Sequence, residues 1–163
     1  MNLKIDLTES SIDAAIQQLQ SYQDSLEEKA KLICEKLASR GAVSASLAYA
    51  RGSTAYTGPV DCEVTVEPEG DGYKILANGE TVLFLEFGAG VTYGGGHPLN
   101  GQFGMGPGTY PGQTHAMSEH GWWLPKDKGG GHTYGNPPTM AMYNAAQDIR
   151  QEIQRVAEEV FRS

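Results

Sequence analysis

An α+β fold is expected from this chain: an antiparallel sheet with a long N-terminal helix and a C-terminal amphipathic helix packed on one face. Three observations carry the expectation. Apolar residues recur every three or four positions over 12–37, the period falls to two over 60–77, and the three-to-four spacing returns over 142–160. A long glycine-rich stretch with neither period separates the last two patterns. At 163 residues there is room for a single domain, residues 1–163, with a glycine-rich loop inserted at about 91–120.

Taken in order, residues 2–7 alternate, with Leu3, Ile5 and Leu7 against Asn2, Lys4 and Asp6, the pattern of a short half-buried strand. Ser10 and Asp13 are placed as a capping box for the helix that follows. Its stripe is Ile12, Ile16, Leu19, Tyr22, Leu26, Ala30, Ile33 and Leu37, with Leu26 and Ile33 at the centre of the expected core. Glu27 and Lys31 have the spacing of an ion pair contributing roughly 0.3–0.5 kcal/mol, so the apolar stripe decides this helix. Gly41 is expected to stop or bend it, with a second, shorter helix over 42–51.

Val60, Cys62, Val64 and Val66 then face one way, and Asp61, Glu63, Thr65 and Glu67 the other. The turn from Pro68 to Gly72 leads into Tyr73, Ile75 and Ala77, so a β-hairpin with one dry face is expected. Slipping it by one residue would exchange the acidic and apolar faces, which specifies the register firmly. Asn78-Gly79 is a further turn signal. Residues 82–90, VLFLEFGAG, read as a buried strand or a single helical turn of core, with Glu86 ordering the backbone where the loop departs.

Residues 88–136 hold 15 of the 21 glycines, four of the eight prolines and all four histidines. Such a composition buries too little apolar surface to offset its ordering entropy, and a loop of this length is usually functional or disordered. Mobility is therefore expected over 91–118. Gly121 to Pro125, which contains Trp122 and Trp123, reads as one strand within it. Asn136, Pro137 and Pro138 end the loop, and the last helix is expected from about Thr139 to Phe161. Its stripe is Met142, Ala146, Ile149, Ile153, Val156 and Val160.

Net charge is -8, which offers no electrostatic footprint for nucleic acid. No apolar run reaches the length that spans a bilayer, and the first ten residues lack the apolar segment of a signal peptide, so no membrane association is expected. Cys34 and Cys62 read as free, buried thiols in a reducing cytoplasm.

No constellation of residues supplies a catalytic centre. His115 and His120 lie five apart with Glu119 between, and His97 and His132 are distant, so no metal-ligand spacing results and solvated loop histidines are the expected state. No serine sits in a GxSxG elbow, and GPGTYPG lacks the GK[ST] of a phosphate loop. No metal or other cofactor is expected.

Three segments carry a family resemblance: VLFLEFGAGV (82–91), GWWLPKDKGGGH (121–132) and NPPTMAMYNAA (136–146). In order and rough spacing the chain resembles the tail-completion, or head–tail joining, proteins of long-tailed phages and prophages, often labelled minor tail component. The likeness spans most of the chain, and its EFGxG piece is the most specific. One departure is TGPVDCEV (57–64), where many relatives carry Pro-Val-Asp-Thr-Gly.

The resemblance implies a structural, non-enzymatic protein of the virion, present in the host cytoplasm during assembly. It implies a monomer in solution and a six-fold ring of copies at the head–tail interface. The ring would contact the neck or adaptor protein on one side and the tail-tube or tail-terminator protein on the other. Glu86, Phe87, Gly88, Gly90, Trp122, Trp123, Pro137 and Pro138 are then the loop-anchoring and interface residues. In this reading Glu86 accepts the amides of Gly88 and Gly90, and one tryptophan ring points inward while the other faces a neighbour. The alternatives from the residues are a small metal-dependent hydrolase using the histidine loop, and a carbohydrate-binding module using Trp122 and Trp123.

Overall fold

A computed structural model describes residue 6 and residues 8–52 and 58–162. The elements are α1 (Glu9–Arg51), β1 (Glu63–Glu69), β2 (Gly72–Asn78), α2 (Val82–Phe87), α3 (Asn100–Phe103), β3 (Trp122–Trp123), β4 (His132–Thr133) and α4 (Ala141–Arg162), with one 3-10 turn at Lys126–Lys128. The fold is α+β, with the antiparallel pairing divided between two two-stranded sheets, β1–β2 and β3–β4. The strand expected at 2–7 lies outside the described residues except for Asp6.

α1 is one helix of 43 residues, about 64 Å long at 1.5 Å per residue. Thr8 caps it: its hydroxyl accepts the Ser11 amide at 3.4 Å, two residues before the expected Ser10 cap. Nor does Gly41 stop the helix. A glycine inside a helix costs only about 0.5–1 kcal/mol, and this one stands where α4 crosses. A β-carbon at Gly41 would strike Ile149 of α4 and lie 2.8 Å from Ile75 Cδ1 of β2. The position is small because two other elements press on it.

α4 runs antiparallel to the C-terminal half of α1. Lys29 Nζ sits over the Phe161 ring, Lys36 and Arg40 bond Glu159, Arg40 also bonds Glu152, and Ser44 bonds Asp148. Arg155, and after it Arg40, holds Glu152 below the usual carboxylate range, and Lys36, and after it Arg40, does the same for Glu159. The buried face of α4 is Ala141, Ala145, Val156 and Val160, with Ile149 and Glu152 partly covered between them. This is rotated from the expected stripe, leaving Ala146 and Ile153 exposed. Ile149, Val156 and Val160 keep their expected inward side, with Ile149 seated against Gly41.

The hairpin pairs Val64 with Ala77 and Val66 with Ile75, and Cys62, Val64 and Ala77 face the core as the alternation indicates, whereas Val60, before the strand, is exposed. Gly70, at φ +57°, opens its two-residue turn with Asp71 at ordinary negative φ, the arrangement that needs glycine first. Tyr49, Leu85 and Ala141 form the buried cluster at the centre, with Cys62, Val64, Ala77, Val82 and Met142 against it. The core therefore sits beside the last third of α1. Leu26 and Ile33 are only half-buried: Leu26 lies past Lys29, where α4 ends, and Ile33 under its last turns, away from the central cluster. Cys34 is exposed rather than buried, and both cysteines are free.

Candidate functional site

α2 is a short helix rather than a strand, and it delivers Glu86 to the start of α4. That start lacks an ordinary cap. Met140, the residue before the helix, has φ +54° and no side-chain oxygen, while the amides of the first turn require acceptors. Glu86 supplies them from 56 and 57 residues away: Oε2 accepts the Met142 amide at 2.9 Å and Oε1 the Tyr143 amide at 3.1 Å. The Tyr49 hydroxyl donates to Oε2 at 2.8 Å, and His97 Nε2 lies 3.3 Å from Oε1. A carboxylate at a helix N-terminus is also favoured by the helix dipole. Glu86 thus serves α4, α1 and the loop together, and the expected bonds to the Gly88 and Gly90 amides are not its role. The reason is geometric: α2 aims the side chain across the core toward α4.

His97 is buried rather than solvated. Its Nδ1 accepts the Leu99 amide at 3.1 Å, so the neutral ring carries its proton on Nε2 and donates it to Glu86. Phe87 stacks at a tilt on the His97 ring with centroids 4.5 Å apart, and Tyr143 meets that ring edge-on. Burial and the Glu86 carboxylate both push the Tyr49 phenol far above its usual range. A histidine–carboxylate pair can relay protons where substrate reaches it. Here both side chains are sealed, at 2 % and 7 % exposure, and the pair works as a clamp. His115, His120 and His132 are exposed, and among the described residues no three His, Cys, Asp or Glu side chains converge for a metal.

The glycine-rich segment is pinned at several points. Besides His97, Tyr110 is buried, donates its hydroxyl to the Gly88 carbonyl and meets Phe84 edge-to-face at 5.3 Å. Burial pushes the Tyr110 phenol up to about 12. Gly88 and Gly90, at φ +77° and +79°, allow close approach by the returning chain. A β-carbon on Gly88 would lie 2.8 Å from the Asn136 carbonyl and 2.9 Å from Pro138 Cδ; one on Gly90 would lie 3.2 Å from Trp122. Ala89 and Asn136 exchange backbone bonds, Asn136 Nδ2 donates to the Phe84 carbonyl, and Thr139 bonds the Leu85 carbonyl. Pro137 and Pro138 lie just before α4, which begins at Ala141 rather than Thr139. Glu86, Phe87, Gly88, Gly90 and Pro138 therefore converge on one loop root.

β3 and β4 form a stub of ladder beside that root, with Trp122 opposite Thr133 and Trp123 opposite His132. Trp122 is half-buried against Gly90, whereas Trp123 is 75 % exposed. The Trp123, His132 and Tyr134 rings follow one another edge-to-face at 5.4 and 5.0 Å, an outward aromatic row. A cleft of about 610 Å³ opens between this stub and the 111–116 segment, lined by Phe84, Gln113, His115, Trp122 and Lys128 among others. Tyr49 and Tyr110 carry no motif in the sequence, and His97 and Asn136 read from it only as a solvated loop histidine and the end of the loop. Only Tyr49 had a local signal, lying four residues beyond Ala45 on a continuing helical face. No protein-family model, curated protein or solved structure matches this chain.

Proposed function

We propose that this chain is a structural, non-enzymatic protein that joins the capsid neck to the tail in a long-tailed phage or prophage, assembling there as a ring of its own copies. The observation that carries the reading is the outward row Trp123–His132–Tyr134 on a stub fixed to the body through Trp122 and Gly90. Exposed aromatic rings on a rigid base are what a protein interface uses, since large rings bury much area at little entropic cost. The motif order around Glu86, Gly121-Trp122 and Pro137-Pro138 supplies the phage assignment by resemblance. The copies are monomers before assembly and meet neck and tail proteins in the virion, with no direct contact to nucleic acid or membrane.

Deleting the gene should leave filled heads and separate tails that fail to join. Replacing Trp123 by alanine should weaken joining while leaving the melting temperature nearly unchanged. Normal infectious particles from the deletion, or purified particles lacking the protein, would overturn the role.

The cleft beside Trp122 supports a second reading as a carbohydrate-binding module, its volume being that of a small-ligand site. Calorimetric titration with oligosaccharides separates the two: heat of binding lost on Trp122→Ala favours the module, and none favours the joining role.

A further inference from the structure

α1 extends well past its partner. α4, 22 residues and about 33 Å long, covers α1 only as far as Lys29, where Phe161 meets the lysine head. The preceding turns keep the same apolar face, yet Ile12, Ile16, Leu19 and Tyr22 are each 43–50 % exposed, while Ala15 is buried. Among the described residues α1 packs on α4, β1 and β2, and its named bonds and ring contacts to α4 begin at Lys29. Residues 9–28 carry five carboxylates (Glu9, Asp13, Asp24, Glu27 and Glu28) and no lysine or arginine. At about 100° per residue the charges are one-sided. Glu9 and Glu27 border the seam on one flank, with Asp13 and Asp24 beyond them, while Ser11, Gln18 and Ser25 border the other.

We infer that the amino-terminal half of α1 is a docking seam for a basic amphipathic helix of a different protein. That helix would lay its apolar stripe on Ile12, Ile16, Leu19 and Tyr22 and set Lys or Arg along the Glu9–Glu27 flank. Charge decides between this occupant and a second copy. Two such segments, paired in either direction, would set five carboxylates against five with no cation between them, and like charges on facing helices oppose pairing. The C-terminal half of α1 meets its partner with the opposite polarity, Lys36 and Arg40 on α1 facing Glu152 and Glu159 on α4. A copy of α4, whose flank toward α1 carries Glu152 and Glu159, would therefore set like charges against the acidic flank of this seam. The inference stands apart from the joining role, since it uses no residue of the loop or the aromatic row.

The test uses the full chain and two synthetic helices of identical apolar stripe, one flanked by lysine and one by glutamate, followed by fluorescence anisotropy. The lysine helix should bind with a dissociation constant of about 1–100 µM, as expected for a seam of a few turns, and the glutamate helix should not. Ile16→Ser with Leu19→Ser should weaken binding by about tenfold or more without shifting the melting temperature. Glu9→Gln with Glu27→Gln should weaken it and flatten its salt dependence, and Trp123→Ala should leave it unchanged. Equal binding of both helices, or of neither, would overturn the inference. So would cross-links from Leu19→Cys, made in a Cys34→Ser background, to the same position in a second copy, or to residues 1–7 of its own chain.

Discussion

Glu86 shows how one buried carboxylate can organise three segments. Four groups converge on it, two of them amides that open α4 with no acceptor of their own sequence nearby. Each hydrogen bond to a charged group contributes about 1.5–3 kcal/mol, and a lost cap costs about 0.5–2 kcal/mol. Glu86→Ala should therefore destabilise the chain by about 3 kcal/mol or more, measured as a shift of the urea midpoint. Glu86→Gln keeps the shape and one acceptor but turns a donor toward the other groups, and should cost about 1–3 kcal/mol. Amide exchange at Met142 and Tyr143 separates this from general loosening, since those two amides should accelerate most. A loss below about 0.5 kcal/mol in the alanine variant would mean that water replaces the carboxylate as cap.

The α1–α4 pair combines a close crossing at Gly41 with a surface ladder of ion pairs. Each exposed pair contributes little by itself, so the ladder tunes the contact while burial of Val156 and Val160 holds it. Its effect should nonetheless show in the pH dependence of stability. Glu152 and Glu159 titrate below their ordinary value in the folded chain because Arg155, Arg40 and Lys36 bond them. A depressed carboxylate contributes stability above its unfolded pKa and loses it as pH falls through the folded one. Glu152→Gln with Glu159→Gln should thus lower the melting temperature at pH 7, and the gap to the wild-type chain should close as pH drops below the ordinary carboxylate range. A gap of constant size down to pH 2 would assign the effect to packing.

At the scale of the whole molecule, the length of α1 sets the shape. A compact chain of 163 residues has a radius of gyration near 15 Å, whereas α1 alone is about 64 Å long. Small-angle scattering should give a radius clearly above about 15 Å and a maximum dimension of at least about 60 Å. Values for a compact sphere would mean that α1 folds back on itself in solution. The elongated form has a consequence for assembly. It separates the acidic seam at one end of α1 from the aromatic row near the other, so two partners could be engaged without competing.

Sequence alone determined the features that repeat within a short window: the helical stripes near both ends, the hairpin and the face it turns inward, and the glycine-rich break between them. Amphipathic stripes and period-two alternation are local, and burial reinforces them wherever the partner comes from. Tertiary structure alone decided the rest. Gly41 lies within a helix because Ile149 and Ile75 press on it, a fact no neighbouring residue records. His97 left the exposed histidines because Glu86 reaches it, and Glu86 chose Met142 and Tyr143 over the nearby glycine amides because α2 points that way. Bonds spanning 37 to 57 residues depend on how the helices cross, and the crossing is set by packing between segments whose patterns are silent about one another.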